Sequence, residues 1–149
     1  MAVSVYWIYP PNYAGTPPAR SGWRRITVEF RGDDLSASET AVKKIDISTL
    51  QAASGLACKR MALEKLSANI HNFDYIRLYW DHNTPVPIIS LAEGFTKLDA
   101  RGGGGLVDPG PTSEAKGSVM LTSIIDPIAV AAGNKASYSI KCTFRLKDD

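Results

Sequence analysis

Histidine and cysteine are scarce in this sequence, two of each in 149 residues. Cys58 and Cys142 lie far apart and form no Cys-x-x-Cys pair, so the spacing supports neither a zinc site nor a thioredoxin-type redox site. They read as two small buried apolar residues in a reducing compartment. His71 and His82, with Asp74 and Asp81 near them, do not match the three or four converging ligands of a metal centre. His82 is expected to pack or cap in the loop after the Trp80 strand.

Catalytic signatures are missing too. There is no Gly-x-Ser-x-Gly, and neither cysteine sits in a recognised catalytic context. The run Arg101-Gly102-Gly103-Gly104-Gly105 continues into Leu106-Val107-Asp108-Pro109. A phosphate loop would end in Gly-Lys-Ser/Thr and open a helix, so the run reads as a flexible loop tip. Asp99 and Asp108, on either side of it, read as turn formers. The expectation is a non-enzyme with no catalytic residue, no metal and no cofactor.

No stretch approaches the ~20 apolar residues that span a bilayer. The start, Met1-Ala2-Val3-Ser4-Val5-Tyr6-Trp7, has neither the basic region nor the apolar run of a signal peptide, which predicts folding in a cytoplasm. The formal net charge is only +2, with both signs interspersed. Without a basic stripe, nucleic acid is not expected as a partner, and neither is a membrane.

What the chain does have is core material: 44% hydrophobic and 21% charged residues, enough for one globular domain. The strongest pattern is Ser137–Lys147. Tyr138, Ile140, Cys142, Phe144 and Leu146 fall on one side, and Ser139, Lys141, Thr143, Arg145 and Lys147 on the other. Strict alternation means a strand with one buried face. Arg25–Phe30 repeats it, with Ile26, Val28 and Phe30 inward, and so does Tyr75–Trp80, with Ile76, Leu78 and Trp80 inward. Shorter candidates are Val3–Tyr9, Val42–Ile47, Pro87–Leu91 and Ser118–Ile124.

Turn chemistry punctuates these strands at Arg31-Gly32-Asp33-Asp34, His82-Asn83-Thr84-Pro85, Gly102–Gly105, Asp108-Pro109-Gly110-Pro111 and Gly133-Asn134. Arg31-Gly32-Asp33 also spells a receptor-recognition tripeptide. The turn reading outweighs that, and the test is whether the loop projects outward. Many short strands with regular turns indicate an antiparallel sandwich or barrel. Ala57–Ile70 is ambiguous: its composition favours a helix, while Met61 and Leu63 alternate as in a strand. A short helical turn is expected near Thr49–Ser54 with Ser48 as its N-cap.

Pro10–Trp23 carries four prolines and two glycines and reads as an extended arm. Ala100–Gly117 holds six glycines and two prolines and reads as a long loop without regular structure. Trp80 is expected in the core. Tyr75 and Tyr79 lie on the opposite face of that strand, as a contact patch or a ligand platform.

Several phrases in order resemble a family of small structural proteins of tailed bacteriophages. They are Lys44-Ile45-Asp46-Ile47-Ser48-Thr49-Leu50, Ile76-Arg77-Leu78-Tyr79-Trp80-Asp81, Gly104-Gly105-Leu106-Val107-Asp108-Pro109-Gly110, Gly117–Ser123 and Tyr138–Lys147. The resemblance covers residues 40 to 147. The chain departs from it in Tyr9–Trp23 and in the insert Ile125–Ala132. It implies a β-sandwich decoration, or cement, protein on the capsid surface of the virion, assembled in the bacterial cytoplasm. It also implies that Met61–Ile70 is a strand.

The resulting expectation is one all-β domain, a jelly-roll-like antiparallel β-sandwich with a Pro-rich arm over 1–23 and a Gly/Pro loop over 100–117. Its partners would be the major capsid protein and its own copies, as a homotrimer or else a dimer. Candidate contact residues are Tyr6, Tyr9, Tyr13, Trp23, Tyr75, Tyr79, Leu106 and Val107. The alternatives are another virion component (head–tail or fibre-associated), a β-sandwich carbohydrate-binding module and, last, a small hydrolase.

Overall fold

A computed structural model describes residues 2–9, 24–109 and 117–148. Ten strands appear in the order β1 Ala2–Tyr9, β2 Arg25–Leu35, β3 Val42–Ile45, β4 Arg60–His71, β5 Phe73–Trp80, β6 Val86–Leu91, β7 Gly94–Asp99, β8 Leu106–Val107, β9 Val119–Ile125 and β10 Ala136–Lys147. One short helix, α1 Pro127–Ala131, lies between β9 and β10. It falls within the segment Ile125–Ala132.

The strands form two antiparallel sheets. One runs β1-β2-β10-β4-β7, with β8 also on β4; the other runs β3-β9-β5-β6. Setting β1 and β8 aside, β2-β10-β4-β7 faces β3-β9-β5-β6, and the chain passes from sheet to sheet except between β5 and β6. That is the eight-stranded, double Greek-key order of a jelly roll. The all-β sandwich expected from the alternating segments is therefore the fold.

The inward side chains fill the space between the sheets. Ile26, Val28 and Phe30 of β2, Ile140, Cys142 and Phe144 of β10, and Ile76, Leu78 and Trp80 of β5 are all buried. Two edge-to-face ring pairs clamp the sheets together: Trp80 on Phe144 at 6.0 Å and Phe73 on Tyr138 at 5.8 Å.

β4 resolves the ambiguous segment as a strand. Met61, Leu63, Leu66, Ala68 and Ile70 are buried, and β4 pairs with β10 on one side and with β7 and β8 on the other. Its register against β10 shifts at Phe144, between Lys65 and Leu63. This bulge turns the buried Glu64 towards Arg25, whose Nε donates to Glu64 Oε1 at 2.6 Å. Glu64 thereby raises the pKa of Arg25, through the hydrogen bond first. Pairing with β10 on one edge and with β7 and β8 on the other therefore overrides the helix propensity of this segment.

Four local expectations need correction. Arg31-Gly32-Asp33-Asp34 is not a turn and not a projecting loop: it continues β2, with Gly32 buried. The helical turn is a 3-10 turn at Ile47–Thr49, capped by Asp46 rather than Ser48, because Asp46 Oδ1 accepts from the Ser48 backbone N–H at 3.0 Å. The Ser48 hydrogen bonds hold the Asp46 carboxyl below its ordinary pKa. Ala100–Gly117 is not wholly irregular, since it contains a 3-10 turn at Arg101–Gly103 and strand β8. Strand β7 was not among the predicted strands.

Candidate interaction surfaces

The predicted contact residues do not form one patch. Tyr6 and Tyr9 lie on β1, an outer strand of the larger sheet, 48% and 51% exposed. Leu106 and Val107 form β8, exposed on the far side of β4, with β2, β10 and β4 between them and β1. Tyr75 and Tyr79 are half-buried on β5 in the other sheet. Tyr13 and Trp23 lie outside the described residues, as does most of the Pro-rich arm.

The outward row of β5 is built by its neighbours. Tyr75 stands opposite Ile124, Arg77 opposite Thr122, and Tyr79 opposite Met120 of β9. Arg77 lays its guanidinium 4.4 Å from the Tyr75 ring centre, while its Nε donates to Ser90 Oγ at 3.2 Å. On the other sheet, Arg31 sits 4.8 Å over the Tyr6 ring and is paired with Glu29. In both places an arginine occupies an aromatic face on which a sugar would stack.

Opposite the conformationally pinned strands, the loop ends carry their own fastenings. At one end Asn72 adopts φ 64°, a left-handed conformation that asparagine tolerates. Its N–H donates to Glu93 Oε1 at 2.8 Å, its side-chain amide donates to the Lys135 carbonyl at 2.8 Å, and its carbonyl accepts from the Asp126 N–H at 2.9 Å. Phe95 and Ile128, strongly exposed apolar side chains, flank this junction in sequence.

At the other end His82 and Asp108 are both buried, and His82 Nε2 lies 2.7 and 2.9 Å from the two Asp108 carboxylate oxygens. Asp108 is held on β4 as well: its N–H donates to the Met61 carbonyl at 3.1 Å and its carbonyl accepts from the Arg60 guanidinium at 3.1 Å. So Asp108 is not a simple turn former. It fastens the glycine-rich segment to the β5–β6 turn. His82 packs in that turn as expected, but its partner is 26 residues away, and no local sequence signal announces the pair.

Among the described residues, no three His, Cys, Asp or Glu side chains cluster as metal ligands. Both thiols are free and buried. Burial pushes Cys58 up to about 11 and Cys142 further in the same direction, which keeps both protonated and poorly nucleophilic near neutrality. Two open clefts of about 280 Å³ occur, one beside Arg24, Ser54 and Asp148 and the other beside Arg31, Asn69 and Ser139. Both are polar surface grooves.

Comparisons with protein-family models, with curated proteins and with solved structures give no match. The molecule is thus defined by its architecture: a jelly roll with a packed interior and with its aromatic and aliphatic side chains distributed over edges and loop ends.

Proposed function

We propose that this chain is a structural component of a tailed-phage particle, a decoration protein that binds the outer capsid surface and stiffens the shell. The observation that carries the reading is the strand order β2-β10-β4-β7 over β3-β9-β5-β6. Jelly rolls recur among capsid proteins, and also among lectins and cupins. Three further features favour the capsid class. The space between the sheets is occupied by Trp80, Phe144, Phe30 and Tyr138, where a cupin would hold its ligand. The outward tyrosines Tyr75 and Tyr6 carry guanidinium groups on their rings, where a lectin would present bare stacking platforms. The ordered phrases that resemble those of phage virion proteins are what suggests the particular class.

A decoration protein needs contact surfaces and no reaction centre. Weak contacts of each copy with the major capsid protein add up over a whole shell through multivalency. The β5 row around Tyr79 and strand β8 are the surfaces offered for it.

The test is microscopy of purified particles of the virus that encodes the chain, together with co-sedimentation of the purified protein with shells that lack it. Density for this jelly roll on the outer surface and saturable co-sedimentation are expected. Virions without the chain, or specific binding on a glycan array with none to shells, would overturn the reading.

A further inference from the structure

Among the described residues, the two sheets of this sandwich end in four outer positions, and three are guarded against strand pairing. β3 carries Lys43 and Lys44, and β6 carries Pro87. On the far side of β4, β7 carries Lys97 and Asp99, and β8 is only two residues long. Charged side chains, proline and shortness are the devices by which edge strands avoid neighbours. β1 has neither of the first two. Its eight residues, Ala-Val-Ser-Val-Tyr-Trp-Ile-Tyr, include no charge and no proline. Its register shift against β2 comes late, between Trp7 and Tyr9, and leaves Ala2–Trp7 regular. No described strand pairs with its outer side. Val3, Tyr6 and Ile8 are exposed along it.

We infer that β1 is a self-association edge, and that its occupant is β1 of a second copy, antiparallel about a two-fold axis. The lack of charge favours this occupant. About a two-fold axis only the on-axis residue meets itself, and a strand without ionised side chains sets no like charges against each other in any register. β3 paired with β3 would set lysine against lysine, whereas β1 opposes no charge. The side-chain parity also fits. With Tyr6 on the axis facing Tyr6 of the second copy, Val5 faces Trp7. Val5 and Trp7 pack against the core in each protomer, so they meet on the core side of a continuous sheet. Tyr6 pairs on the outer side, where aromatic cross-strand pairs are favourable. Such an interface is isologous and closes as a dimer. The pairing depends on edge chemistry alone and stands apart from the proposed capsid role.

The test uses the full chain. Sedimentation across a concentration series should show a monomer–dimer equilibrium. Tyr6→Lys should abolish the dimer while keeping the native circular dichroism, because Glu29 stands opposite position 6 on β2 and gives the ammonium a partner. Tyr6→Cys should oxidise to a linked dimer far faster than Lys97→Cys, since position 6 meets its own copy; the two native thiols are buried and do not compete. A wild-type protein that stays monomeric, a dimer that survives Tyr6→Lys, or equal cross-linking at positions 6 and 97 would each overturn the inference. Should Tyr6→Lys unfold, the comparison of cross-linking rates decides.

Discussion

Gly32 lies against the ring of Tyr138: a Cβ added at Gly32 would come within 2.5 Å of a Tyr138 ring carbon and 2.7 Å of a Leu35 methyl. The close approach is what lets β2 run through Arg31-Gly32-Asp33 as a strand while Tyr138 stays buried on β10. The tripeptide is thus held in a sheet, against its reading as a turn.

Gly32→Ala is expected to destabilise the fold by about 1 to 3 kcal/mol, the usual cost of overpacking a filled interior. Chemical denaturation measures it. A variant as stable as the parent would mean that Tyr138 moves aside freely.

The His82–Asp108 pair provides a sharper stability test. Removing one partner, as in His82→Ala or Asp108→Ala, breaks a buried hydrogen-bonded contact, at a cost of about 1 to 3 kcal/mol. The double replacement should cost clearly less than the sum of the two. Additive losses in that double-mutant cycle would show that the two side chains act independently.

Asn72 combines backbone conformation with hydrogen bonding, and two substitutions separate them. Asn72→Gly keeps the left-handed backbone and loses only the amide bond to Lys135, a loss of about 1 kcal/mol. Asn72→Ala also brings strain, adding about another 1 kcal/mol. Equal stability of the two variants would refute the conformational part.

Alkaline pH should weaken the fold. Burial raises Cys58 from 9.0 to about 11, so the unfolded chain releases this proton first. Its contribution is complete below about pH 9 and is lost as pH rises towards 11. Tyr138 acts in the same sense at higher pH, since burial and its hydrogen bond to Glu39 favour the neutral phenol. Denaturation midpoints that stay flat through this window would contradict both shifts. Native thiols should also react slowly with a disulfide reagent and quickly once the chain is unfolded.

Asp46 works in the opposite direction. Its carboxyl is held low by Ser48, so its contribution is present above the ordinary carboxylate range and is lost as pH falls through the depressed value. Asp46→Ala should cost about 1 kcal/mol near neutrality, as for a lost cap. The difference from the parent should shrink in acid, as titration of the midpoints would reveal.

Much of the architecture was legible in the chain because a strand with one buried face writes its period directly into the order of residues. β2, β5 and β10 could be read residue by residue, with Trp80, Phe144 and Tyr138 as core. The same alternation put Tyr75 and Tyr79 on the outward face. β4 was obscured by its bulge: the step from Leu63 to Leu66 breaks the period of two and imitates helical spacing, and only β10, β7 and β8 as neighbours make the segment a strand. Arg31-Gly32-Asp33-Asp34 carries turn residues, but the need to pass Tyr138 outweighs turn preference. The His82–Asp108 pair and the separation of Tyr6, Tyr79 and Val107 onto different surfaces arise from contacts between distant segments. Periodicity records which side of a strand is buried; it does not record which strand lies beside it, and that pairing is what positions the surfaces.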